Sequence, residues 1–129
     1  IDAVNVLQLE DIDSIDAFVG VESRGYIFAS ALAYKLGKGM ILARKPGKLP
    51  PPVKSVEYSL EYGTDSLEMH EGTGRVVVVD DVVATGGTLT AAGQLAQDCG
   101  YDVVDTLCFI DLRFIHGREL DTKCVVTYD

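Results

Sequence analysis

With 129 residues and a net charge of −9, the chain is long enough for one domain with a real core, and its acidic balance disfavours nucleic acid or anionic membrane as the main partner. A hydrophobic share of 47% against a charged share of 24% is that of an ordinary globular domain, and no apolar run approaches membrane-spanning length. Cys99, Cys108 and Cys124 form no C-x-x-C pair and only two His are present, so no metal-ligand cluster is read. Odd, sparse cysteine use suits a reducing cytosol.

In chain order, Ala17-Phe18-Val19-Gly20-Val21 reads as a buried strand ending in the polar loop Glu22-Ser23-Arg24-Gly25. From Tyr26 to Leu36, Phe28, Leu32 and Leu36 recur at helical spacing with Ile27, Ala31 and Tyr34 beside them, and Gly37 supplies a stop. Met40 to Ala43 is a short second strand. Arg44 to Val56 is rich in Pro, Gly and Lys and has no apolar period, so it reads as a long loop, of the kind that is either a functional lid or disordered. Glu57 to Tyr62 and Leu67 to His70 nearly alternate and flank Gly63-Thr64-Asp65, which predicts an antiparallel ribbon with its turn at those three residues. A Val76–Val79 strand follows, then a helix from Thr88 to Cys99 with Leu89, Ala92, Leu95, Ala96 and Cys99 on one side. Strands at Tyr101 to Ile110 and Lys123 to Tyr128 complete the set. Alternating β and α segments with Val-rich strands predict an α/β domain: a doubly wound, mostly parallel sheet flanked by helices.

The densest signal is Val76-Val77-Val78-Val79-Asp80-Asp81-Val82-Val83-Ala84-Thr85-Gly86-Gly87-Thr88. The acidic pair falls at a strand's carboxyl end, where open α/β sheets bind ligands. Ala84, Thr85, Gly86, Gly87 and Thr88 offer unhindered amides and two hydroxyls at a helix start, which suits an anion. Carboxylates for sugar hydroxyls beside a phosphate cradle describe a ribose-phosphate pocket. A Walker B strand also ends in acids, but the chain holds no Gly-x-x-x-x-Gly-Lys-Ser/Thr loop. A receiver-type domain carries its Asp pair after the first strand, whereas here the pair comes late and precedes the cradle.

Two further stretches carry charge chemistry. Glu22-Ser23-Arg24-Gly25 sets a tight loop at a helix start and adds a guanidinium fork suited to phosphate. By itself that loop also suits a plain helix cap at Ser23. Arg44, Lys45, Lys48 and Lys54 make a positive island on an acidic protein, either a polyanion site or a solvated basic loop.

Glu-Ser-Arg-Gly, Ala-Arg-Lys-Pro-Gly-Lys-Leu-Pro, Tyr-Ser-Leu-Glu-Tyr-Gly-Thr-Asp and Val-Val-Asp-Asp-Val-Val-Ala-Thr-Gly-Gly-Thr occur in that order. Together they resemble the type I phosphoribosyltransferases and, among them, the adenine phosphoribosyltransferases, over residues 17 to 115. The resemblance implies transfer of the 5-phosphoribosyl group from 5-phosphoribosyl 1-diphosphate to adenine, giving AMP and diphosphate. It implies that Asp80 and Asp81 approach the ribose hydroxyls, that residues 84–88 wrap the 5′-phosphate, and that Arg24 and Arg44 bind the diphosphate with Lys48 assisting. It also counts Glu22 and Ser23 of the same loop among the substrate-binding residues. It assigns Glu61 to the adenine N7 as general acid/base, with Tyr62 closing over the site and Val82 and Val83 forming an apolar wall for the base. It further implies magnesium (Mg2+) carried on the diphosphate rather than in a protein cage, a cytoplasmic homodimer, and small-molecule substrates only. Residues 1–129 are expected to form one phosphoribosyltransferase domain, short of the family's N-terminal hood segment and of part of its C-terminus. Two other readings share the fold: a regulator that senses the activated sugar without transferring it, and a transferase for another purine such as xanthine.

Overall fold

The computed structural model describes residues 12–22, 24–60, 63–83, 87–112 and 123–128. A five-stranded, all-parallel sheet forms the centre. Its strands are β1 (Ala17–Val21), β2 (Gly39–Ala43), β5 (Gly74–Val83), β6 (Tyr101–Leu112) and β7 (Lys123–Tyr128), in the order β2-β1-β5-β6-β7. Helices α1 (Gly25–Leu36) and α2 (Gly87–Asp98) make the crossovers β1-α1-β2 and β5-α2-β6. A separate antiparallel pair, β3 (Lys54–Leu60) and β4 (Gly63–Met69), intervenes between β2 and β5. The predicted α/β class and the ribbon are therefore both present.

The Val run explains the layering. Val76, Val77, Val78 and Val79 are all buried, which requires cover on both faces of the sheet. Val76 and Val78 join Val19, Val21 and α2 residues Leu89, Ala92, Leu95 and Ala96 on one side. Val77 and Val79 join Phe18, Leu107 and α1 residues Ala29 and Ala33 on the other. Removing each such side chain from water is worth about 1.5–3 kcal/mol, so this strand anchors both layers. Leu67 and Met69 of β4 are fully buried, with Val56 and Tyr58 of β3 packed alongside, so the ribbon closes over the α2 side.

Opposite crossovers follow from strand order. β2 lies on one side of β1 and β6 on the other side of β5, so right-handed connections send α1 and α2 to opposite faces. The chain paths diverge between β1 and β5. That divergence leaves a crevice beyond the carboxyl ends of those two strands.

Several elements differ from the sequence reading. Gly63-Thr64-Asp65 is strand rather than turn: Leu60 pairs with Gly63, Ser59 with Thr64 and Tyr58 with Asp65. Gly63 has φ 142°, a conformation that favours glycine, so this glycine marks the start of β4 rather than the turn itself. β3 begins at Lys54, three residues before the predicted ribbon, which shortens the basic loop. β5 continues through Val83, so Asp80 and Asp81 lie within the strand and not after it. On α1, the buried line is Gly25, Ala29 and Ala33 with Phe28, Leu32 and Leu36 partly covered, while Ile27 and Tyr34 point outward at 68% and 93% exposure. Cys108 is disulfide-bonded, and the β6–β7 register sets Cys124 beside it. Chain spacing does not reveal such a neighbour, and the reducing-cytosol reading did not anticipate a bond there.

Candidate active site

The crevice forms where β5 leaves β1. Their ladder runs from Ala17 opposite Val76 to Gly20 opposite Val79, and Asp80 follows. On the other side β5 stays paired with β6, Asp80 opposite Cys108. Beside Asp80, β1 ends at Val21 and the chain turns through Glu22 and Arg24 into α1. Gly25 makes that turn possible. A methyl group there would stand 2.7 Å from the Val79 carbonyl oxygen and 3.3 Å from the Asp80 Cα, both backbone atoms that cannot step aside. Only glycine lets the first loop lie against the acid-bearing strand. Arg24 occupies the helix N-cap position in an αR conformation, with no side-chain cap hydrogen bond and an exposed side chain. The alternative of a helix cap at Ser23 falls outside the described residues.

The basic loop enters the same crevice from β2. The Ala43 carbonyl accepts from the Glu22 amide at 3.0 Å and from the Tyr26 hydroxyl at 3.2 Å, so the ends of β1, β2 and α1 are tied at one oxygen. Arg44 then forms a two-way backbone bridge with Glu68 of β4, at 3.0 and 2.7 Å. The Glu68 side chain accepts from the Gly47 amide at 2.9 Å. Lys45 pairs with Asp65 and also reaches the Tyr58 hydroxyl at 3.3 Å. This loop is fastened to the ribbon, a set of contacts the sequence reading missed because its partners lie in a different element.

Glu22 organises the cations. Its Oε1 accepts the Lys45 amide at 2.8 Å and lies 3.6 Å from Arg44 Nε, while Oε2 pairs with Lys48. Burial alone would raise its carboxyl pKa. The Lys48 ammonium, the Lys45 amide and the Arg44 charge outweigh that and hold it below the ordinary carboxylate value. Asp65 is likewise held low, chiefly by its hydrogen bond from Lys45. For Lys45, desolvation opposes the charge, but Asp65 and Tyr58 overcome it and the ammonium is favoured. Arg44 Nε is shielded from solvent and makes no hydrogen bond, an unsatisfied cationic donor.

Arg44 and Lys48 thus stand around Glu22, directly after β1, and Arg24 precedes Gly25, which lies against Asp80 of β5. Gly87 and Thr88 begin α2 directly beyond β5, and its first turn holds no acidic residue, which favours an anion at that end. The backbone of Asp81, Val82 and Val83 continues β5. Their side chains, with Glu61, Tyr62, Ala84, Thr85 and Gly86, lie outside the described residues. Among the described residues, no group of three or more His, Cys, Asp or Glu side chains converges to hold a metal. No described helix is long and apolar enough to cross a membrane.

Similarity to known proteins decides the family. The phosphoribosyl transferase domain family matches residues 5–129. The chain is 47% identical over 134 aligned positions to the adenine phosphoribosyltransferase of Hydrogenovibrio crunogenus, covering 100% of this chain and 78% of that protein. The chain belongs to the adenine phosphoribosyltransferase family. Its fold agrees. The crystal structure of the adenine phosphoribosyltransferase from Thermoanaerobacter pseudethanolicus superposes with a TM-score of 0.84 at 40% identity, over 97% of this chain and 76% of that one. The Saccharomyces cerevisiae adenine phosphoribosyltransferase, solved in complex with an imino-altritol bisphosphate and adenine, gives 0.82 at 35% identity, over 95% and 74%.

Proposed function

We propose that this chain transfers the 5-phosphoribosyl group from 5-phosphoribosyl 1-diphosphate to adenine, releasing AMP and diphosphate, a purine-salvage reaction. What supports the proposal is Arg44 and Lys48 standing about Glu22 at the end of β1, while Gly25, next to Arg24, lies against Asp80 of the neighbouring β5. Cations for a leaving diphosphate and carboxylates for a pentose belong at the two ends of one substrate.

In this proposal N9 of adenine bonds to C1 of the sugar as the C1–O bond to diphosphate breaks, and the electron pair leaves with the diphosphate. The sugar passes through an oxocarbenium-like state, as in glycoside chemistry. Asp80 and Asp81 hold the ribose hydroxyls. Residues 84–88 hold the 5′-phosphate at the start of α2. Arg24, Arg44 and Lys48 stabilise the departing charge, and Glu61 exchanges a proton with N7 of the base while Tyr62 and the apolar Val82 and Val83 border it. Magnesium would be held by the diphosphate and waters rather than by a protein cage, where it would help neutralise the departing charge. Fixing both reactants in one crevice removes the entropic cost of bringing them together, worth up to about 7–11 kcal/mol of barrier.

Cytoplasmic location is proposed on the same ground as the substrates, both of them small metabolites. A homodimer is proposed from α1, whose exposed Ile27 and Tyr34 lie two turns apart on one side of the helix. Sedimentation of the protein should give twice the chain mass, and a monomer at assay concentration would refute it.

The function is tested by supplying 5-phosphoribosyl 1-diphosphate and magnesium with adenine, hypoxanthine, guanine or xanthine in turn. AMP from adenine, with little product from the other bases, is the expected result. A folded protein that forms no AMP overturns the proposal, and product from xanthine alone assigns another base.

A further inference from the structure

Glu22 stands among the cations that the reaction above assigns to diphosphate, yet a carboxylate cannot serve as a ligand for that anion. Its side chain is 9% exposed and all its contacts are to the basic loop. The two oxygens play different parts. Oε1 holds the Lys45 amide, which the neighbouring Arg44–Glu68 backbone bridge keeps in place. Oε2 holds Lys48, whose side chain is 47% exposed. Arg44 Nε stays without a hydrogen bond although Glu22 lies 3.6 Å away, so the carboxylate neutralises Arg44 without satisfying it.

We propose that Glu22 is a positioning residue and an internal competitor: it holds Arg44 and Lys48 in place while the crevice is empty, and Lys48 exchanges the carboxylate for diphosphate oxygens when substrate binds. The inference rests on the phosphoribosyl-transfer reading. It makes Glu22 a determinant of how tightly diphosphate is held and how readily the product leaves. One negative charge beside a multiply charged anion lowers its affinity, and the exchange returns Lys48 to a partner when diphosphate departs.

The test is titration of inorganic diphosphate with magnesium into the whole protein, wild type and Glu22→Gln, with melting temperature and steady-state kinetics on both. Gln keeps an oxygen for the Lys45 amide and removes the charge. Diphosphate affinity is expected to rise about three- to tenfold, with KM for 5-phosphoribosyl 1-diphosphate falling by a similar factor and kcat not rising. In a Lys48→Met background the gain should shrink, because the exchanging partner is gone. Equal or weaker binding by a normally melting Glu22→Gln overturns the proposal and leaves Glu22 a structural tie. If that variant melts early, Glu22→Asp is measured instead. It keeps the charge, so no gain is expected from it, and the deciding variant is then Lys48→Met: the proposal expects weaker diphosphate binding there, and unchanged binding by a folded Lys48→Met overturns it. A folded wild type that neither binds diphosphate nor forms AMP overturns the transferase reading and this inference together.

Discussion

Glu61→Gln is expected to lower kcat for AMP formation by about 10²–10⁴-fold, the usual worth of a positioned general acid/base. Binding of 5-phosphoribosyl 1-diphosphate should change by no more than about threefold, because the assigned proton transfer is to the base and not to the sugar. The surrounding charges sharpen the expectation. An acidic residue on this ribbon has a bland role available, that of balancing the lysines nearby. Lys45 is already balanced by Asp65, and Lys48 by Glu22. Register brings Leu60 opposite Gly63, so residues 61 and 62 are the whole connection between β3 and β4, at the end of a ribbon fastened to the basic loop. Single-turnover kinetics with a separate binding measurement separates the two effects. Wild-type turnover in the variant would remove Glu61 from its role.

Asp80→Asn combined with Asp81→Asn should cost about 10²–10⁴-fold in kcat/KM for the activated sugar. Each charged hydrogen bond is worth about 1.5–3 kcal/mol, and the pair is proposed to hold the sugar on which positive charge develops. Asn matches Asp in size, so the strand should keep its packing between Val79 and the β6 ladder. An unchanged melting temperature with lost activity is the expected pattern. The loss should appear in both KM and kcat, since carboxylates grip the ground-state hydroxyls and also favour an oxocarbenium-like sugar. Unaltered kinetics would show that the sugar sits elsewhere.

Much of this architecture is legible in local pattern. Four consecutive Val residues announce a strand buried on both faces, and both core clusters meet on that strand. Leu89, Ala92, Leu95, Ala96 and Cys99 recur at helical spacing and are all buried. Gly25 was visible as part of a tight loop, but not as the residue that lets that loop touch Val79 and Asp80. Gly63-Thr64-Asp65 looked like a turn, because glycine and polar residues between alternating segments have that composition in either case. Only the pairing of Leu60 with Gly63 shows which side of the turn they occupy. Ile27 and Tyr34 share the apolar character of Phe28 and Leu32, and helical period alone does not say which side meets the sheet.

By itself the sequence determined the fold class, the strand that bears the acids and the family these belong to. Each is carried by residues close together in the chain, where spacing and backbone chemistry decide the outcome. Tertiary structure decided which cations share a partner. Glu22 and Lys48 are separated by 26 positions and Lys45 and Asp65 by 20, and they meet only because β1, β2 and the ribbon converge on one crevice. Electrostatic pairing depends on distance in space, and for charges on separate elements that distance is set by sheet order and register, which no local pattern encodes.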